Sequence, residues 1–190
     1  MQNQPVQQPV GTRSLRRKQL KAKRRKEFIS WVRDIVLVVL VVTLLKTFVF
    51  SIVTVEGNSM LDTLESGDHL YVSMLSSRIQ GYERGDIVIC FYPGRTDRCV
   101  KRIVGLPGER LKIQGGVVYI NDEPLEEEYL TRIARYYYPE ITLGEGEYFV
   151  LGDNRPVSHD SHSSDVGPVS RIEGVVRCII WPPNRIGIPE

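Results

Sequence analysis

The chain has 190 residues, 42% of them hydrophobic and 25% charged, which suits one folded domain with appendages and excludes a wholly disordered polymer. Its formal charge of +2 is unevenly spread: ten Lys and Arg precede Ile35 against only Glu27 and Asp34, whereas from Thr47 onward 14 basic residues face 21 acidic ones. A net-negative body has no footprint for phosphate backbones, which argues against nucleic acid as a partner, and three cysteines are too few for a disulfide framework or a zinc motif.

In chain order, residues 1–34 form a basic segment that includes Arg13, Arg16, Arg17, Lys18, Lys21, Lys23, Arg24, Arg25 and Lys26. Residues 35–53 then run almost without charge, about 19 residues, enough to cross a bilayer core of about 30 Å as a helix. Lys46 is the one interruption, and the surrounding Ile, Leu, Val and Phe outweigh the roughly 3 kcal/mol that a central lysine costs. The basic run belongs on the cytoplasmic side, so a single-pass anchor with a cytoplasmic amino terminus and an extracytoplasmic body is expected at the plasma membrane. A cleaved secretory signal is the competing reading, but no small-x-small site follows the apolar run.

Residues 54–190 read as an all-β, antiparallel, barrel-like or sandwich-like domain. Short alternating or apolar runs predict strands over 68–73, 86–92, 100–104, 110–113, 117–120, 148–151 and 175–180, with turns at Pro93-Gly94, Pro107-Gly108, Gly115-Gly116 and Asn121-Asp122. Cys90 and Cys99 flank one of these turns, as reduced strand thiols or a cross-hairpin pair. Between Leu125 and Gly146 the pattern is poorer. The acids Glu126 to Glu128 read as solvated loop, and Tyr136 to Tyr138 as cover for a sheet edge or as interfacial aromatics.

Chemistry-bearing residues concentrate in four blocks: Val55-Glu56-Gly57-Asn58-Ser59-Met60, Gly85-Asp86-Ile87-Val88, the run from Cys99-Val100-Lys101 to Glu109, and Gly152-Asp153-Asn154-Arg155 followed by Ser158, Asp160 and Ser161. A serine after glycine and a strand lysine are each commonplace alone. His159, Asp160, His162 and Asp165 match no standard zinc spacing, so no metal is expected, and adjacent His159 and Asp160 suit a Ser-His-Asp triad poorly.

These four blocks, in this order behind an amino-terminal apolar span, resemble the boxes of the bacterial type I signal peptidases, membrane-bound serine endopeptidases with a Ser-Lys dyad. The resemblance implies Ser59 as nucleophile, Lys101 as general base, and Ser158 as the hydroxyl that hydrogen-bonds the lysine amine, with Asp153, Asp160 and Ser161 structural near the site. It implies no cofactor, and as partners the signal peptides of exported preproteins and the lipid bilayer. Val55, Gly57, Asn58, Met60, Leu64, Cys99 and Val100 are the candidate substrate-binding residues.

Physically, a lysine acts as a base only as the neutral amine, under about 0.1% of a free lysine at pH 7, so its surroundings must disfavour the ammonium. Two residues depart from the pattern. Asp62 stands where proline is usual, which would loosen a turn. His162 stands where arginine commonly follows Asp-Ser, which would make an ion pair with Asp160 depend on pH. Self-cleaving repressors share a Ser-Met nucleophile setting but carry a DNA-binding helix-turn-helix where this chain has an apolar span. The remaining alternative is a noncatalytic membrane-tethered β-domain, a degenerate relative that binds exported proteins.

Overall fold

The computed structural model describes residues 11–48, 50–75 and 81–189, with side chains omitted for 11–22 and 44–48. The elements are helix α1 (Gly11–Phe48), strands β1 (Phe50–Thr54), β2 (His69–Ser73), β3 (Ile87–Phe91), β4 (Arg98–Gly105), β5 (Arg110–Gln114), β6 (Val117–Ile120), β7 (Glu123–Pro124), β8 (Tyr138–Thr142), β9 (Phe149–Leu151) and β10 (Arg171–Trp181), and a 3-10 turn at Pro183–Arg185. The chain divides into two compact units, Met1–Leu45 and Lys46–Glu190.

Among the described residues no helix is long and apolar enough to cross a membrane. The expected 35–53 span lies only partly within them, because the side chains of 44–48 and the whole of Val49 fall outside the described residues, as do the side chains from Arg13 to Lys21. Residues 50–53, counted above with the apolar span, are strand: β1 pairs with β2 from Phe50↔Ser73 to Thr54↔His69. Its β-branched and aromatic residues satisfy their backbone groups in the sheet.

The second unit is β, as its alternation predicts, in two antiparallel sheets. One has six strands in the order β1-β2-β10-β3-β4-β9, the other four in the order β7-β6-β5-β8. Strand β2 buries Leu70 and Val72 and leaves their neighbours half-exposed, the period of two that a one-sided strand requires. Strand β3 buries Ile87 to Cys90 on both faces, as a central strand does. Strands β1, β7 and β8 were not expected as strands; β7 is only two residues long, and Pro139 breaks the pattern of β8.

Side chains leave the two faces of the large sheet into separate cores. Leu70, Val72, Ile87 and Ile89 gather with Val55, Met60 and Leu64 on one side, whereas Val88, Cys90 and Ile103 gather with Val150 and Val169 on the other. A third core joins the β4 and β9 ends to the small sheet through Val104, Phe149, Leu151, Leu111 and Val118. Gly105, the last residue of β4, sits at that junction, and a Cβ there would lie 2.8–2.9 Å from Leu143, Leu111 and Phe149 side-chain atoms. Gly105→Ala is therefore expected to destabilise the domain by about 1–3 kcal/mol through overpacking, read as a lower urea midpoint at unchanged slope.

Candidate active site

Ser59 follows β1 on a turn whose two sides are pinned. Val55 donates its N–H to the Asp68 carbonyl at 2.8 Å, and Leu64 donates to the Met60 carbonyl at 2.8 Å, with Met60 and Leu64 both buried beneath the turn. Gly57 has φ +87°, a left-handed conformation that a side chain would strain. From the other side comes the 152–154 loop: the Asn154 N–H donates to the Ser59 carbonyl (3.0 Å), and the Asn154 side-chain amide donates to the Asn58 carbonyl (2.8 Å). Gly152 is required by this approach, because a Cβ there would fall 2.4 Å from the Ser59 carbonyl oxygen and 2.2 Å from Ser158 Oγ.

Lys101 lies in β4 opposite Val88 of β3, on the face shared by the directly paired Cys90 and Cys99. It is 4% exposed, not the solvated strand lysine that its local sequence would favour, and its Nζ is 2.6 Å from Ser59 Oγ. Burial lowers its pKa from the ordinary lysine value, and the charge of Asp160 is the largest influence in the other direction. No carboxylate is in salt-bridge contact with the amine among the described residues. All three cysteines are free thiols, and burial pushes Cys90 up to about 12.

Arg102, the next residue, points to the opposite face of β4 and holds one of the two buried acids, Asp153. Its guanidinium grips Asp153 in a buried pair (2.7 and 3.1 Å), donates to the Gly85 carbonyl (3.0 Å), and stacks on Tyr129 with 3.9 Å to the ring centroid. Thr63 also donates to Asp153, at 2.6 Å. The second acid, Asp160, has no exposed surface and accepts from the Gly152 N–H (2.9 Å), from His162 Nδ1 (2.6 Å) and from Ser158 Oγ. Ser158 thus spends its proton on Asp160, and no hydrogen bond joins it to Lys101, contrary to the expected bond to the amine. Ser161 is buried and donates from its hydroxyl region to nothing at the dyad; its Oγ instead accepts the Val150 N–H at 3.1 Å.

An open groove of about 1320 Å³ runs past the serine, lined by residues of the 52–60 and 96–101 segments together with Phe91, Tyr92, Val157, His159 and Arg171. Val55, Gly57, Asn58, Met60, Cys99 and Val100 lie along it. Leu64 does not: it is wholly buried in the core under the Ser59 turn, where an apolar residue four positions from Met60 supports the turn from inside. His159 and His162 go separate ways, His159 to Asp165 (3.3 Å) at the exposed rim and His162 to Asp160.

Several residues missed in the sequence hold the site together. Glu127, read above as one of three solvated acids, is buried against Arg155, whose Nε also donates to the Gly152 carbonyl (3.2 Å). Tyr129 lies on Arg102, and Asp62 accepts from Thr131 and from Arg132 (3.0 Å). Asp62 therefore ties the turn down, where loosening was expected. One strap, 127–132, touches the segments after Ser59, beside Lys101 and beside Gly152, and nothing in its local pattern distinguishes Glu127 from Glu126 or Glu128.

Residues 28–181 match the family described as signal peptidase, peptidase S26. The chain is 36% identical over 152 residues to a signal peptidase I of Leptolyngbya laminosa, covering 75% of this chain and 74% of that protein. It is 34% identical over 151 residues to a probable signal peptidase I-2 of Synechocystis (76% and 69% covered) and 31% identical over 175 residues to a signal peptidase I of Bacillus licheniformis (86% and 94%). A solved signal peptidase I of Enterococcus faecalis V583 is 35% identical and aligns over 51% of this chain and 97% of its own, with a TM-score of 0.43.

The buried Arg102–Asp153 pair yields a stability prediction. Asp153→Asn leaves the guanidinium without its counter-charge, and the expected loss is about 3–5 kcal/mol, measured by urea denaturation; an unchanged midpoint would show the pair to be dispensable.

Proposed function

The chain belongs to the signal peptidase family, peptidase S26, and from that premise we propose that it is a membrane-bound serine endopeptidase that cleaves signal peptides from exported preproteins. The observation that carries this reading is the 2.6 Å approach of a buried, carboxylate-free lysine amine to the Ser59 hydroxyl. A neutral amine there takes the serine proton as Oγ bonds to the scissile carbonyl carbon. The resulting ammonium returns that proton to the departing amine nitrogen, and the peptide bond breaks. Water, deprotonated by the same amine, then attacks the acyl carbon, the ammonium returns that proton to Ser59 Oγ as the ester bond breaks, and the signal peptide leaves as a carboxylate.

Burial in an apolar setting disfavours the Lys101 ammonium and lowers its pKa from the ordinary lysine value, as a base requires. The oxyanion that forms requires donors already in place, and the Ser59 N–H is the first of them in this reading. Gly57 supplies no second hydroxyl, and its glycine torsion instead lets the backbone approach the substrate. Ser158 acts as a positioning residue: fixed by Asp160, it packs with Gly152 beside the Ser59 carbonyl and helps hold the serine's backbone in place. The groove receives an extended peptide, with Val55, Gly57, Asn58, Met60, Cys99 and Val100 as walls of pockets for small residues.

The apolar run from Ile35 up to the start of β1 at Phe50, behind its cytoplasmic basic segment, anchors the enzyme in the plasma membrane as a single-pass protein with the catalytic unit outside. A nucleophile five residues beyond β1, the first strand after that run, meets cleavage sites at the bilayer surface, where precursors emerge. Ser59→Ala and Lys101→Ala are each expected to lower cleavage of a reporter preprotein in detergent at least about 10³-fold, with circular dichroism unchanged. Full activity in either variant contradicts the dyad, and no cleavage by the wild-type chain leaves a noncatalytic binding domain. In sealed right-side-out vesicles, added protease should digest the β unit; protection there, with digestion in inverted vesicles, would reverse the topology.

A further inference from the structure

Two buried carboxylates bear on the Lys101 amine, and both favour its ammonium form. They are compensated differently. Asp153 carries the permanent charge of Arg102 in a forked pair. Asp160, which has no exposed surface, has His162 as its one ionisable partner among the described residues, Nδ1 to Oδ1 at 2.6 Å, and also accepts from the His162 N–H (3.3 Å), the Gly152 N–H and the Ser158 hydroxyl. A carboxylate only accepts, so Nδ1 donates in this contact, and the remaining ring nitrogen decides whether the ring carries a charge. The His162 side chain is 24% exposed and so can exchange that proton with solvent.

The other groups around this pair contribute no competing charge. The Tyr136 ring lies 4.4 Å from the imidazole, centroid to centroid, and burial pushes its hydroxyl up to about 12, so it stays neutral. Arg155 and Glu127, which approach from the same side, neutralise each other in a buried contact. Ser163 meets only the Asp160 backbone N–H. On the lysine side, the thiols of Cys99 and Cys90 share its strand face, and Cys90 is held neutral by burial. Beside the amine, His162 is therefore the group positioned to compensate Asp160.

We propose that His162 is a positioning residue that compensates the charge of Asp160, and in its cationic form keeps that buried carboxylate from holding Lys101 as an ammonium. The inference rests on Lys101 being the base proposed above, and it has a readout of its own. With His162 charged, the Asp160–His162 unit is neutral and Lys101 loses its proton at lower pH. When His162 gives up its proton, one uncompensated negative charge remains and the lysine binds its proton more tightly.

The test is the titration of Lys101 in the full chain in detergent, in a Ser59→Ala background, followed by NMR of 13C-labelled lysine with the signal assigned by Lys101→Arg. His162→Gln is expected to raise the Lys101 midpoint by about one pH unit, the order of effect of one nearby charge in a partly buried site. His162→Arg, with a permanent charge, is expected to leave it at or below the value with histidine. The acid limb of kcat/KM in the Ser59-containing enzyme should move in the same directions. A midpoint that His162→Gln leaves unchanged overturns the inference, even if rate or thermal midpoint falls, because that is the signature of a purely structural contact. Since the lysine titration needs no turnover, a wild-type chain that cleaves nothing would defeat the functional proposal and still leave this measurement decisive.

Discussion

The structure depends on one unfavourable act, the burial of a lysine amine against a serine hydroxyl without a carboxylate to pair with it. Free lysine remains charged at neutral pH, and a domain of this size has only some 5–15 kcal/mol of net stability with which to oppose that tendency. The fold meets the cost by rigid placement. Lys101 sits mid-strand in β4, between β3 and β9, where it cannot swing out to water without leaving Ser59. Acids that would otherwise seize the amine are occupied: Asp153 by Arg102 and Thr63, Asp160 by His162, Ser158 and a backbone N–H.

The serine is held by similar means. Met60 and Leu64 fill the core under its turn, and the 152–154 loop grips the Asn58 and Ser59 carbonyls from the far side. That loop can come so close only because residue 152 has no side chain. The strap from Glu127 to Arg132 then links the Asp62, Arg102 and Arg155 neighbourhoods, so three separate stretches of chain share one support. Charged residues do this work in the interior because each is paired; an unpaired one would cost several kcal/mol.

How far this could be read in advance varied with the range of the interaction. Alternation of apolar residues marked β2 and β5, because a strand with a core face repeats every two residues, and short apolar runs marked β3, β4 and β6. β1 was hidden in the apolar run before it, since a two-sided apolar strand and the end of an apolar helix have the same composition. The four blocks with Ser59 and Lys101 carried the family in their order and spacing. What pairs with what was not legible: Glu127 and Glu126 look alike in sequence, and only the return of the chain at Arg155 selects one for burial. Leu64 was expected among the substrate-binding residues, and the fold made it core. Ser158 was placed near the site, but its proton went to Asp160, an acid two residues away that offers a stronger acceptor than an amine.

The most direct measurement of the central claim is kcat/KM for a reporter preprotein against pH, from pH 5 to 10, with the full chain in detergent. An ammonium must lose its proton before it can accept one, so the rate should rise with pH along a single limb whose midpoint lies well below the ordinary lysine value of about 10.4. A profile that is flat across this range, or a limb that climbs only near that ordinary value, would contradict a buried neutral amine at position 101 as the base.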